Sequence, residues 1–150
     1  MPKEQFIRTL RSLAEFYQAF EAYSGAHVRK LGLTSAQFDI VATLGNTLGM
    51  TCKELGEKTL ITKGTLTGVL DRMEGRGLIR RSASDADRRQ VFVALTPQGI
   101  RTFDRAFPAH VGHLKLAFTV LSPRELDQTT ELLHKLRDAL REARAQRKAA

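Results

Sequence analysis

Leu78-Ile79-Arg80-Arg81-Ser82-Ala83-Ser84-Asp85-Ala86-Asp87-Arg88-Arg89-Gln90-Val91-Phe92-Val93-Ala94-Leu95-Thr96 stands apart from the sequence on either side of it. Val91, Val93 and Leu95 alternate with Phe92 and Ala94, the period of two that marks a half-buried strand. Leu78 to Ser82 supplies a second run able to pair with it. The polar stretch Ala83 to Gln90 connects the two, which predicts a hairpin with a charged tip.

Outward from the hairpin the apolar spacing becomes helical. Directly upstream lie Leu66, Val69, Leu70 and Met73, ending at Gly75 to Gly77. Before them, a short segment is anchored by Leu55, and another carries Phe38, Val41 and Leu44 and stops at Gly45 to Gly49. The first segment carries Phe6, Leu10, Leu13, Phe16 or Tyr17, Phe20 and Tyr23. Downstream, Ile100, Phe103, Phe107, Val111 and Leu114 form a fifth, and Leu126, Leu133, Leu136 and Leu140 a sixth. The tail, Arg141 to Ala150, is basic and alanine-rich and extends the last helix or frays.

Helix starts are well marked. Thr34-Ser35-Ala36-Gln37, Thr51-Cys52-Lys53-Glu54 and Ser122-Pro123-Arg124-Glu125 each place Glu or Gln three residues after a capping hydroxyl. Pro123 also suits the first helical position. Thr96 before Pro97 is another cap, and Thr62 is the expected cap of the fourth helix. The expected fold is therefore mainly α with a small β-hairpin wing. A winged helix-turn-helix over 34–96 is flanked by long dimerisation helices over 1–33 and 97–150, all in one domain, 1–150.

Bulk composition narrows the function. The chain has 150 residues, 42% of them hydrophobic, enough for one domain with a real core. No apolar run is long enough to span a membrane. Met1 to Ile7 reads as the start of an amphipathic helix rather than a signal peptide, so a cytoplasmic protein is expected. The formal net charge of +8 implies a polyanionic partner, of which DNA is the commonest. The single Cys52 excludes an internal disulfide and a cysteine-rich metal cluster. There is no Gly-rich phosphate loop after a strand, no Gly-x-Ser-x-Gly and no paired carboxylates in a plausible cleft. The enzyme class finds no support, and no cofactor is expected.

The fourth helix has the residues for close approach to a duplex. At about 100° per residue its apolar stripe faces inward and Gly64, Thr67, Gly68 and Asp71 face outward, flanked by Thr65 and Arg72. Two glycines on a helix cost about 1 kcal/mol each relative to alanine. Close approach of the backbone to another surface is a reason to accept that cost. Thr62, Lys63 and Thr65 would then meet base edges or phosphates near free N–H groups. The alternative is an ordinary exposed face of small residues. At the hairpin tip, Arg88 and Arg89 can reach a minor groove, with Asp87 holding the Arg89 guanidinium in a fork. The alternative there is a solvated charged turn.

Asp87-Arg88-Arg89-Gln90-Val91-Phe92-Val93-Ala94-Leu95-Thr96 resembles the wing signature of the MarR family (multiple antibiotic resistance regulators). Lys63-Gly64-Thr65-Leu66-Thr67, then Leu70-Asp71-Arg72-Met73-Glu74 and Gly77-Leu78-Ile79, resemble that family's recognition helix and its exit into the wing. The flanking helices resemble the family in pattern. The resemblance implies that Thr62, Lys63, Thr65 and Thr67 lie in the major groove and that Arg89, oriented by Asp87, enters the minor groove. Arg72 and Arg88 would contact phosphates. It implies a homodimer on a palindromic operator, often as a repressor, released by small phenolic or aromatic acids, by oxidation or by metal. A ligand-independent DNA binder is the alternative.

Dimerisation also has its own argument. The first, fifth and sixth helices carry more apolar surface than a lone winged helix can cover. Pairing them across a two-fold axis would set two recognition helices about 34 Å apart, one turn of DNA. A monomeric helical cap is the alternative.

For the signal, His27, Phe38, His110 and His113 are the candidate ligand-lining residues, suited to a small aromatic acid. Each taken singly also reads as a plain core or surface residue. His110 and His113 share a helix face and, with His27 or Asp104, have the donor types for zinc, although no matched cluster emerges and no metal residues are assigned. Cys52, just after the cap of the third helix, sits where a helix N-terminus lowers a thiol pKa. Peroxide-sensing members of the family carry their cysteine in the first helix, which has none here.

Overall fold

The computed structural model describes residues 3–59 and 61–150; Met1 and Pro2, which open the expected amphipathic start, lie outside them. The elements are α1 (Lys3–Lys30), α2 (Ser35–Leu44), β1 (Met50–Thr51), α3 (Cys52–Lys58), α4 (Lys63–Gly75), β2 (Ile79–Ala83), β3 (Val91–Leu95), α5 (Pro97–Phe118) and α6 (Pro123–Ala149). This is the mainly α fold with a β wing that the patterning predicts. The chain divides into two compact units, residues 1–113 and 114–150.

The caps explain most helix starts. Thr34 Oγ1 accepts from the Gln37 N–H at 3.1 Å while Gln37 Oε1 accepts from the Thr34 N–H at 3.1 Å. Ser122 and Glu125 make the same reciprocal pair at 3.2 and 2.8 Å. Thr51 provides the hydroxyl arm, accepting from the Glu54 N–H at 3.2 Å. Thr96 Oγ1 accepts from the Gly99 N–H at 3.0 Å and donates to the Gly77 carbonyl, joining the start of α5 to the exit of α4. Thr62 departs from expectation. It occupies the cap position of α4 but makes no side-chain cap bond; its hydroxyl donates to Thr65 Oγ1 at 3.0 Å.

Two helices end in the same turn. After α4, Gly77 adopts φ +72°, its N–H reaches the Glu74 carbonyl at 2.9 Å, and the Leu78 N–H reaches the Met73 carbonyl at 3.0 Å. After α1, Gly32 at φ +82° does likewise: its N–H reaches Arg29 O and the Leu33 N–H reaches Val28 O, both at 3.0 Å. Glycine takes this left-handed conformation without a Cβ penalty. Each turn sends the following leucine into the core, where Leu33 and Leu78 are buried.

The wing is larger than the expected hairpin. β2 pairs antiparallel with β3 in the register Ile79↔Leu95 through Ala83↔Val91, one residue later than the Leu78–Ser82 strand expected. A third strand, β1, pairs with the other edge of β3 through Met50↔Val93 and Thr51↔Phe92, giving the order β1-β3-β2. Val93, central in this sheet, is fully buried. It joins Ile40, Val41 and Leu44 of α2, Leu55 of α3 and Leu66, Val69, Leu70 and Met73 of α4 in one core. α5 enters that core at Gly99, where a Cβ would collide with the Leu78 carbonyl oxygen, and at Phe103, whose ring fills the space beside Gly45.

Large apolar side chains remain outside this core. On α1, Phe6, Ile7, Leu10, Phe16 and Tyr17 are exposed. In the second unit no α6 residue is buried, and Leu132, Leu133, Leu136 and Leu140 stay open to solvent.

Candidate nucleic-acid interface and effector site

α4 presents its first turns outward. Thr62, Lys63, Gly64, Thr65, Thr67 and Arg72 are exposed, while Leu66, Val69, Leu70 and Met73 seat the opposite face. Among the described residues nothing requires a glycine at two of the outward positions. A Cβ at Gly64 would meet nothing within 4 Å, and one at Gly68 only Arg72 Nη1 at 3.6 Å. The start of α4 therefore combines hydroxyls, an ammonium group, bare backbone and N–H groups without a side-chain cap. That combination suits a polyanion.

The wing tip is closed by its own backbone. The Ser84 N–H reaches Gln90 O and the Gln90 N–H reaches Asp87 O, both at 2.9 Å. Asp87 Oδ1 accepts from the Arg89 N–H at 3.0 Å and from Arg89 Nε at 3.4 Å. The contact to the guanidinium runs through Nε alone, so the expected fork is not formed. The short loop sets the Arg89 backbone on the carboxylate first and leaves its side chain 93% exposed. Arg88 is exposed beside it.

A residue that patterning missed fastens the wing to α4. Arg81 Nη2 lies 2.7 Å from Asp71 Oδ1, and its Nε lies 2.9 Å from Glu74 Oε2, which also accepts the Arg81 N–H at 3.2 Å. Hydrogen bonds to Glu74 and then Asp71 raise the Arg81 pKa, holding it charged. The signal was present: strand alternation puts Arg81 on the same side as the buried Ile79, facing acids three apart on the preceding helix.

The four ligand-lining candidates do come together, but as a packed column. His27 Nδ1 and His110 Nδ1 are 2.8 Å apart, and His110 Nε2 is 3.0 Å from Ser24 Oγ. The His113 ring lies between Tyr23, at 4.2 Å, and His27, at 4.0 Å and 7° from parallel. Phe38 meets His110 edge-on at 4.5 Å. Burial, then the neighbouring imidazoles, pushes the His110 pKa below its ordinary value. His27 is lowered by burial, His113 and Lys30 in that order. Among the described residues no group of three His, Cys, Asp or Glu is arranged to hold a metal ion. The His27 and His110 nitrogens bond each other instead of converging on a common point.

Cys52 does not show the lowered thiol pKa that its place at a helix start allows. It packs half-buried against the core, and that burial raises its thiol pKa, outweighing the lowering by Arg81. Burial in apolar surroundings disfavours the thiolate. No helix among the described residues is long and apolar enough to cross a membrane.

Comparison with known proteins converges on one family. The sequence model of the MarR family matches residues 33–91. The HTH-type transcriptional regulator MhqR of Bacillus subtilis (strain 168) is 29% identical over 133 residues, 89% of this chain and 92% of that protein. The crystal structure of AbsC, a MarR family transcriptional regulator from Streptomyces coelicolor, superposes with a TM-score of 0.84 at 26% identity, covering 95% of this chain and 97% of that one. Bordetella bronchiseptica BpsR, whose DNA binding is regulated by 6-hydroxynicotinic acid, superposes with a TM-score of 0.77 at 30% identity, covering 85% and 91%. The family match over residues 33–91, with superpositions that run through the whole wing, places the chain in the MarR family of DNA-binding transcriptional regulators.

Proposed function

We propose that the chain is a homodimeric, cytoplasmic repressor that binds a palindromic operator and is released by a small aromatic or phenolic acid. The observation that carries the DNA contact is the start of α4. Its exposed face is bare at Gly64, where the fold itself has room for a side chain. Thr62, Lys63, Thr65 and Thr67 would read the major groove. Arg89, steadied by Asp87, would enter the minor groove, and Arg72 and Arg88 would meet phosphates. Residues 1–33 and 97–150 would form the dimerisation region around the lobe 34–96. The exposed apolar residues of α1 and of α6 favour a second copy as their cover.

The effector reading is supported by BpsR, whose regulator is a small heteroaromatic acid, and by the aromatic column of His27, Phe38, His110 and His113. A binding assay on the DNA upstream of the chain's own gene, repeated with aromatic acids, zinc and peroxide, tests it. Release by an aromatic acid alone is expected. Release by peroxide or zinc alone would move the signal elsewhere, and binding indifferent to all three would leave a ligand-independent DNA binder.

A further inference from the structure

We propose that His27, His110 and His113 form a proton-operated latch between the outer helices and the DNA-binding lobe, through which acidification releases DNA. This concerns the regulation of the effector site and rests on the reading above for its output.

The geometry limits how many protons the cluster can hold. A 2.8 Å separation between His27 Nδ1 and His110 Nδ1 admits one N–H, so one of the two atoms must act as acceptor. His110 Nε2 is engaged with Ser24 Oγ, and His110 is 1% exposed. The neutral pair already holds that one N–H, so a first added proton goes to an Nε2 and leaves the Nδ1···Nδ1 bond in place. A second would set N–H against N–H and cation against cation. His113, stacked 4.0 Å from His27, acts on it as a like charge.

The charges that act on His27 and His110 add to that one: the other imidazoles and Lys30. α1 contributes Lys30, a cation, with the neutral Tyr23 and Ser24. α5 contributes His110 and His113 themselves. α2 contributes the Phe38 ring. The downward pKa shifts of His27 and His110 agree with this balance.

The same helix carries the response to the lobe. Next to Phe38, Gln37 Oε1 accepts from Arg76 Nη1 at 3.0 Å at the C-terminal end of α4. Arg76 Nη2 also donates to the Gly32 carbonyl at 2.9 Å, in the turn that ends α1. α2 is thus held between His110 and the end of α4. Opening the imidazole pair frees Phe38 and loosens that seat.

The sign of the effect identifies it. Protonating histidines makes the chain more cationic, and by itself that strengthens DNA binding. A latch weakens it.

The experiment measures affinity of the full chain for its upstream duplex, without effector, from about pH 8 to about pH 5 at fixed ionic strength. Histidine imidazole NMR titration runs in parallel. Wild-type affinity should fall about fivefold or more as pH drops below the ordinary imidazole range, the size of a modest allosteric coupling. His27→Phe, which keeps the stack, and His110→Gln should each be flat or rise. Two variants guard against one failing to fold. Wild-type affinity that is flat or rises, or variants that follow a falling wild type, would overturn the latch. Failure to bind upstream DNA at the high-pH end would overturn the functional reading instead. The NMR titration would then decide: coupled, depressed imidazole titrations support the latch, and independent ordinary ones refute it.

Discussion

Arg81 Nη2 stands 2.7 Å from Asp71 Oδ1, so a wing strand grips the outward side of α4. Glu74 adds a second carboxylate on the same guanidinium. With Arg81 27% exposed, the pairs are partly screened, and their joint worth is about 1 kcal/mol. Their larger consequence is geometric, since they set the wing against the helix. Arg81→Ala should lower unfolding stability by about that amount in urea titration. It should weaken DNA binding by more than the stability loss implies. A variant that loses stability alone would make Arg81 a plain surface anchor.

Arg89 separates contact from folding more cleanly. Its side chain is 93% exposed and, among the described residues, pairs with Asp87. Arg89→Ala should leave the melting temperature unchanged while lowering affinity for many sequences. The slope of log affinity against log salt should shrink by about one unit. Unchanged affinity would take the wing out of the interface.

Gly64 gives a prediction in which stability and binding move in opposite directions. Replacing glycine by alanine in the first turn of α4 favours folding by about 0.5 kcal/mol, and the new methyl has nothing within 4 Å to meet. Gly64→Ala should therefore be more stable than wild type by calorimetry and bind DNA less tightly. If binding is retained, the backbone of α4 does not approach the duplex at that point.

Stability should also report the histidines. The His27 and His110 pKa values lie below the ordinary value in the folded chain. The unfolded chain therefore takes up protons first as pH falls. Their stabilising contribution is complete above about pH 6.5 and is lost as pH falls through the lowered folded values. Thermal unfolding across that window should show wild-type stability declining, and His110→Gln should flatten the decline. Equal slopes for the two proteins would contradict this.

What sequence could show depended on the range of the interaction. Caps and apolar periods are local, so Thr34, Thr51, Thr96 and Ser122 marked their helices, and the class of fold followed. Thr62 marked the start of α4 as well, although its hydroxyl bonds Thr65 and makes no cap bond. β1 was invisible: its two residues show no alternation, and its pairing with β3 spans some forty residues. Gly32 was a legible signal for the end of α1 that spacing alone passed over. Sharing a helix face put His110 beside His113, but only tertiary packing sets His27 and Ser24 against His110. The fork expected of Asp87 and Arg89 was lost to a preference for the backbone N–H, which no spacing rule reveals.

Footprinting on the upstream DNA tests the central claim most directly. Methylation and hydroxyl-radical protection would be mapped for wild type, Thr65→Ala and Arg89→Ala. Two major-groove protections should appear about one helical turn apart, flanked by minor-groove protections. Thr65→Ala should alter the major-groove pattern alone, and Arg89→Ala should erase the flanking minor-groove protections alone. A single unpaired protection, or wild-type footprints from both variants, would contradict a dimer that reads DNA through α4 and the wing.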